Sequence, residues 1–216
     1  EVTEDQCYNC PTEALTIMGQ IYTVEALMSV ILEDRAFYEK SKGGVTFSGG
    51  EPLLQNKFLL QIIKRCKAAN LHVVVDTTGF TSWQNLMSIL PFVDVFLYDI
   101  KFMEGVLHKK YTGVDNKLIL KNITNLSLAG KNIYVRIPVI PMVNDSERSI
   151  VEICNFIKDL NIEQVNLLPY HGIGVSKYKN IRKEYLLKGT KEPSEVKMRV
   201  LKEIVEGYNI KTIIGG

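Results

Sequence analysis

No apolar run in this 216-residue chain reaches membrane-spanning length, and no signal peptide opens it. The sequence therefore reads as a cytosolic protein with no membrane partner. No basic block stands out: 26 Lys and Arg are spread among 24 Asp and Glu for a net charge of +2, which argues against nucleic acid as a partner. Cysteine is scarce, with only Cys7, Cys10, Cys66 and Cys154, and in a cytosolic chain these do not form a disulfide framework. Internal repeats and linkers are also missing. What remains is an ordinary globular composition, 46% hydrophobic and 23% charged, enough for the core of one domain with at most a small appendage.

Apolar patterning alternates between two periods. Short β-branched or aromatic runs at 45–47, 72–76, 93–100, 133–140, 165–168 and 210–214 read as strands. Between them, helical spacing predicts helices near 55–69, 81–90, 116–129, 147–160 and 194–207, with a further helix over 23–39 and a short apolar turn near 15. Cys66 and Cys154 fall on apolar helical positions and read as small core residues. Strands alternating with helices imply βα units around a parallel sheet, an α/β fold.

In such sheets ligands bind beyond the C-terminal strand ends. Five consecutive strands deliver polar groups there: Ser48-Gly49-Gly50-Glu51, Asp76-Thr77-Thr78-Gly79, Asp99-Ile100-Lys101, Arg136 with Asn144-Asp145, and Tyr170-His171-Gly172. Strand-to-helix loops are usually polar, and Ser48 or Asp76 alone would pass for helix caps. Lys101 and His171 are not cap residues, so the set reads as a binding site. Two carboxylates, a lysine, an imidazole and bare backbone suit a zwitterion better than a phosphate. In GGVTFSGGEP, residues 43–52, Gly49 and Gly50 would bring bare backbone against that ligand.

Taken in order, the stretches GGVTFSGGEPLLQ, VVVDTTGF, VFLYDIKFM, VRIPVIPMVND, NLLPYHGIGVSKY and YLLKGTKEPS resemble the radical S-adenosylmethionine fold. Within it they resemble the activating enzymes of glycyl-radical enzymes, typified by pyruvate formate-lyase activating enzyme. The resemblance implies a partial, open (β/α) barrel with parallel strands. It also implies that Gly49, Gly50 and Glu51 hold the amino end of S-adenosylmethionine, with Gly50 at the backbone contact. Asp99, Ile100 and Lys101 would touch the cofactor, and His171 would lie near the nucleoside. Arg136 would reach the cofactor or the partner's glycine loop, and Asp76 with Thr77 would hold a monovalent cation. The implied chemistry is reductive: an electron from a flavodoxin- or ferredoxin-type donor passes through a [4Fe–4S] cluster. It cleaves S-adenosylmethionine to a 5′-deoxyadenosyl radical that takes hydrogen from a glycine of the partner enzyme.

The family's CxxxCxxC cluster motif is absent from these 216 residues. Cys7 and Cys10, followed by Pro11, are similar to the end of a ferredoxin-type cluster motif, which implies remnant auxiliary iron–sulfur ligands. The expected organisation is thus residues 1–14 as the remnant of a ferredoxin-like insert and 15–216 as a truncated barrel without its first βα unit. No residue of this chain is then assigned as catalytic, and the isolated chain is expected to be inactive. Two other readings compete: a cluster-free module that binds S-adenosylmethionine or docks a partner, and an unrelated α/β barrel enzyme using Asp99 and Lys101 as an acid–base or Schiff-base pair.

Overall fold

The computed structural model describes residues 4–12, 17, 19–172, 178, 184, 185, 187 and 189–215. The predicted apolar turn near 15 and most of the GIGVSKY stretch lie outside them. Three helices come first: α1 (Glu4–Tyr8), α2 (Val24–Glu33) and α3 (Arg35–Ser41). Then β1 (Gly44–Phe47), a 3-10 turn (Pro52–Gln55) and α4 (Asn56–Ala68) lead to β2 (His72–Thr77) and α5 (Trp83–Ile89). After β3 (Val95–Asp99) come α6 (Gly105–Thr112) and α7 (Lys117–Leu128). The series ends with β4 (Asn132–Val139), α8 (Glu147–Ile157), β5 (Ile162–Pro169), α9 (Glu195–Glu206) and β6 (Thr212–Ile214).

The six strands form one parallel sheet in sequential order, β1 to β6. Right-handed crossovers that never reverse direction place the helices connecting these strands on one side of the sheet. Burial confirms this asymmetry. On the helix side Val73, Val75, Phe96, Tyr98, Ile133, Val135, Ile137 and Val165 are fully buried, packed with Ile62 and Ile63 of α4, Ile123 of α7, Ile153 of α8 and Leu201 of α9. Their neighbours along the chain, Val74, Asp76, Leu97, Asp99, Tyr134 and Arg136, stay half-buried on the other side. The α/β half-barrel expected from the sequence is the fold observed.

Helix starts are chemically marked. Thr23, Ser82, Ser146 and Ser194 each accept a hydrogen bond from the backbone N–H three residues on, as N-caps do. Two elements depart from the sequence reading. The helix expected over 23–39 is interrupted at Asp34, which ends α2 and precedes α3. The loop after β3 contains α6, closed by Gly113 in the left-handed region at φ 85°. Inside α6 His108 is buried, with Nδ1 2.7 Å from the Val114 carbonyl oxygen.

The β1 edge carries no further strand among the described residues. Beside it runs a cleft of about 540 Å³ lined by Ile21, Tyr22, Leu27, Val45, Phe47 and Phe58 among others.

Candidate functional site

The C-terminal ends of β2, β3 and β4 place three charged side chains on the open face. Register pairs Asp99 with Arg136 and Arg136 with Asn166, so these lie in one row across the sheet. Arg136 bridges two carboxylates. Its Nη1 donates to Asp76 Oδ2 at 2.7 Å, while its Nε lies 3.3 Å from Asp99 Oδ1. Lys101 Nζ donates to Asp99 Oδ2 at 2.7 Å. The four side chains are 15 to 30% exposed, enough to keep them screened but accessible. Asp99 Oδ1 and Arg136 Nε are buried, and neither makes a hydrogen bond despite their proximity.

The glycine loop lies beside this cluster, since Ser48 Oγ donates to Asp76 Oδ2 at 2.9 Å. Gly49, at φ 126°, and Gly50 have nothing within 4 Å of a Cβ position, so their backbone is open to a ligand. Glu51 turns toward the chain itself: its carboxylate accepts from Thr77 Oγ1 at 2.8 Å and from Thr78 N and Oγ1 at 2.9 and 2.6 Å. Thr77 is buried and faces Glu51, whereas Asp76 faces the open side. Ile100 is buried in the core, and its N–H donates to the Arg136 carbonyl. His171 is exposed just beyond β5. A pocket of about 390 Å³ adjoins Lys101 and is lined largely by rings and aliphatic side chains, including Phe102, Tyr111, Pro138, Ile140 and Tyr185. Burial, with the hydrogen bond to Tyr170, pushes the Tyr185 hydroxyl up to about 12, so it stays protonated at neutral pH.

Three buried asparagines hold these loops: Asn144, already part of the polar rim read from the sequence, and Asn116 and Asn122, which were not. Asn144 Nδ2 donates to the Lys101 and Pro138 carbonyls, and its Oδ1 accepts from Ile140 N. Asn116 Nδ2 donates to the Phe102 and Met103 carbonyls. Asn122, on the inner stripe of α7, donates to the Gly79 and Thr81 carbonyls at 2.9 and 2.8 Å. A sequence signal existed for Asn122: it is a lone amide among Ile119, Ile123 and Leu126 at core positions.

Set beside known proteins, the sequence and the fold have counterparts. A model described as the radical SAM superfamily matches residues 4–156. The trans-4-hydroxy-L-proline dehydratase activating enzyme of Clostridioides difficile is 44% identical over 206 residues, covering 94% of this chain and 68% of that protein. The choline trimethylamine-lyase activating enzyme of Oleidesulfovibrio alaskensis is 37% identical over 203 residues, covering 92% and 66%. The crystal structure of a domain of pyruvate-formate lyase-activating enzyme from Bacteroides vulgatus aligns with a TM-score of 0.69 at 36% identity, covering 81% of this chain and 99% of that one. The chain therefore belongs to the radical SAM superfamily and, within it, to the activating enzymes of glycyl-radical enzymes. It spans about two thirds of the length of these curated relatives.

Membership implies S-adenosylmethionine and a [4Fe–4S] cluster. The described residues fit the first. A zwitterionic methionyl group needs acceptors, a cation and approachable backbone, and Asp99, Lys101, Arg136 and the glycine loop supply them around two buried, unbonded polar atoms. They do not fit the second, because no group of three or more Cys, His, Asp or Glu able to hold a metal occurs among them. Cys7 lies in α1 and Cys10 in the turn behind it. Cys66 and Cys154 are buried in the core, where desolvation pushes each thiol up to about 11 and leaves it inert as a ligand.

Proposed function

We propose that the half-barrel described above is the S-adenosylmethionine-binding part of an activating enzyme, with the methionyl group held between the glycine loop and the Asp76–Arg136–Asp99 row. The observation that carries this reading is Arg136 ion-paired to two aspartates, with its Nε 3.3 Å from Asp99 Oδ1 and neither of those two buried atoms in a hydrogen bond. Rotation of that guanidinium by a small angle would let it bond a ligand carboxylate. Lys101 would act as a second cation on the same carboxylate, and the Gly49–Gly50 backbone would receive the ammonium end. The pocket beside Lys101 would take the nucleoside, and His171, exposed just beyond β5, is the further residue proposed near it. Asp76 Oδ1, not engaged by the bonds that reach Oδ2, is the position for a monovalent cation, with Thr77 behind it. When bound and given one electron by an external donor, S-adenosylmethionine would yield methionine and a 5′-deoxyadenosyl radical able to take hydrogen from a partner glycine; the residues here would bind and orient it.

The partner is a glycyl-radical enzyme presenting its glycine loop to the open face, and the electron donor is a flavodoxin or ferredoxin, all in the cytoplasm. The 44% identity to a trans-4-hydroxy-L-proline dehydratase activating enzyme, against 35 to 37% for several other activating enzymes, one of them for another dehydratase, makes a hydroxyproline dehydratase the first partner to test. Cys7 and Cys10, with Pro11 following them, are read as the remnant of an auxiliary iron–sulfur ligand set, since two thiolates cannot complete a four-cysteine cluster.

Calorimetric titration of S-adenosylmethionine into the chain tests the central assignment. Binding that is lost in Asp99→Asn and Arg136→Ala supports it, and no binding by the wild-type chain refutes it. Anaerobic reconstitution with iron and sulfide, followed by EPR, separates an enzyme from a docking module. A signal that shifts on adding S-adenosylmethionine, with 5′-deoxyadenosine formed, marks catalysis; binding without either marks the module.

A further inference from the structure

The glycine loop is tied to β2 at both ends. At one end Ser48 Oγ donates to Asp76 Oδ2. At the other, the Glu51 carboxylate collects four donors: Thr77 Oγ1 and Leu53 N on Oε1, Thr78 N and Oγ1 on Oε2. Three consecutive residues, Asp76 to Thr78, thus anchor both flanks of Gly49–Gly50. The anchor is itself fixed. Gly79 N donates to Thr77 Oγ1 at 2.9 Å, and Asn122 clamps the Gly79 and Thr81 carbonyls. A Cβ on Gly79 would stand 1.7 Å from Tyr98 Oη, so the backbone there lies directly on that ring. The Tyr98 hydroxyl donates to the Ile119 carbonyl, and burial together with the nearby Glu51 charge raises its pKa well above the ordinary tyrosine range.

A carboxylate with four donors is already fully solvated by the protein. To pair with a ligand ammonium it would have to release bonds that hold its own loop. We propose that Glu51 is a positioning residue: acting through Thr77 and Thr78, it sets the Gly49–Gly50 backbone for the ligand and does not itself touch the bound molecule. This rests on the binding reading above only for what the backbone receives. The loop geometry is testable without any ligand. Bare glycine backbone has little stiffness of its own, so without the Glu51 tie the two peptide units would sample many orientations. A ligand would then meet the correct one in only a fraction of molecules.

The test uses the whole chain labelled with ¹⁵N-glycine. Glu51→Gln and the double variant Thr77→Val/Thr78→Val are each expected to move the Gly49 and Gly50 amide signals and speed their hydrogen exchange. Gly130 and Gly207, remote in sequence and on helix ends, stay in place. Titration with S-adenosylmethionine should show about tenfold weaker binding in each variant, and no further loss when the two are combined, because both break one unit. The proposal is overturned if Glu51→Gln abolishes binding while its glycine signals are unmoved, or if Thr77→Val/Thr78→Val binds like the wild type; either result makes Glu51 a direct ligand. If the wild-type chain binds no S-adenosylmethionine, the binding reading fails, and the glycine signals alone decide: unmoved signals in Glu51→Gln refute the positioning role. Should Glu51→Gln not fold, Thr78→Val, which removes one bond to Oε2, is read in the same way.

Discussion

Along β4, Ile133, Val135, Ile137 and Val139 are fully buried against helices, while Tyr134, Arg136 and Pro138 between them face the open side half-buried. One strand thus serves two environments at alternate residues. On the helix side stability comes from apolar area removed from water and close packing, neither of which depends on one partner. On the open side it comes from directional bonds, which must find particular atoms: Arg136 and Ser48 to Asp76, Lys101 to Asp99. The first side tolerates substitution in proportion to volume. The second depends on specific residues, and on the proposed reading it should lose binding before it loses the fold.

Substitutions on the two sides should therefore separate stability from binding. Phe96→Ala removes a fully buried ring and is expected to cost about 3–5 kcal/mol in urea unfolding. A cost near that of a surface change would mean that the helix side is not the core. Gly79→Ala, whose Cβ would collide with Tyr98 Oη, should cost about 1–3 kcal/mol and also disturb the loop that holds Glu51. Arg136→Ala should act in the opposite sense. Unfolding should change far less than in Phe96→Ala, while affinity for S-adenosylmethionine falls about tenfold or more, the scale of a lost charge-assisted bond. Equal losses in both measurements would erase the distinction between the faces.

The buried thiols sharpen the comparison through pH. Burial holds Cys66 and Cys154 at about 11, above the unfolded value near 8.5. The folded state thus keeps two protons that the unfolded state has released. Their contribution is complete below about pH 8.5 and is lost as pH rises toward 11. The midpoint of urea unfolding should fall across that window, and less so in Cys66→Ala/Cys154→Ala. In the native chain at neutral pH, iodoacetamide should label Cys7 and Cys10 ahead of Cys66 and Cys154, as read by peptide mass. The smallest effect belongs to the surface. Arg35→Ala breaks a pair whose side chains are 50 and 66% exposed, and unfolding should shift by less than about 0.5 kcal/mol.

Much of this was legible in the chain. Apolar runs such as 72–76 and 133–140 mark buried strands because a strand against helices needs bulk at every second position, and β-branched residues supply it. The polar strand ends, Asp76, Asp99, Lys101 and Arg136, could be read as one site because a parallel sheet brings its C-terminal ends to a common rim. The glycines in SGGEP announced bare backbone by residue type alone. Less was legible where local pattern and final state disagree. The segment 105–112 carries no strong apolar stripe, and its helix is secured by Gly113 and the buried His108. The break at Asp34 has neither proline nor glycine to announce it.

The alternation of strands and helices, the parallel sheet and the identity of the charged rim were determined by the sequence, through the periods of its apolar residues and the chemistry at its strand ends. Tertiary structure alone decided what each rim residue faces. Glu51 and Gly50 are adjacent in a single motif, yet the carboxylate turns inward to four donors while the glycine backbone stays open. Arg136 lies sixty residues from Asp76 and bonds it only because β2, β3 and β4 stack in register. Hydrogen bonds are short-ranged and directional. Which of them form is settled when the strands pack, and no local pattern records it.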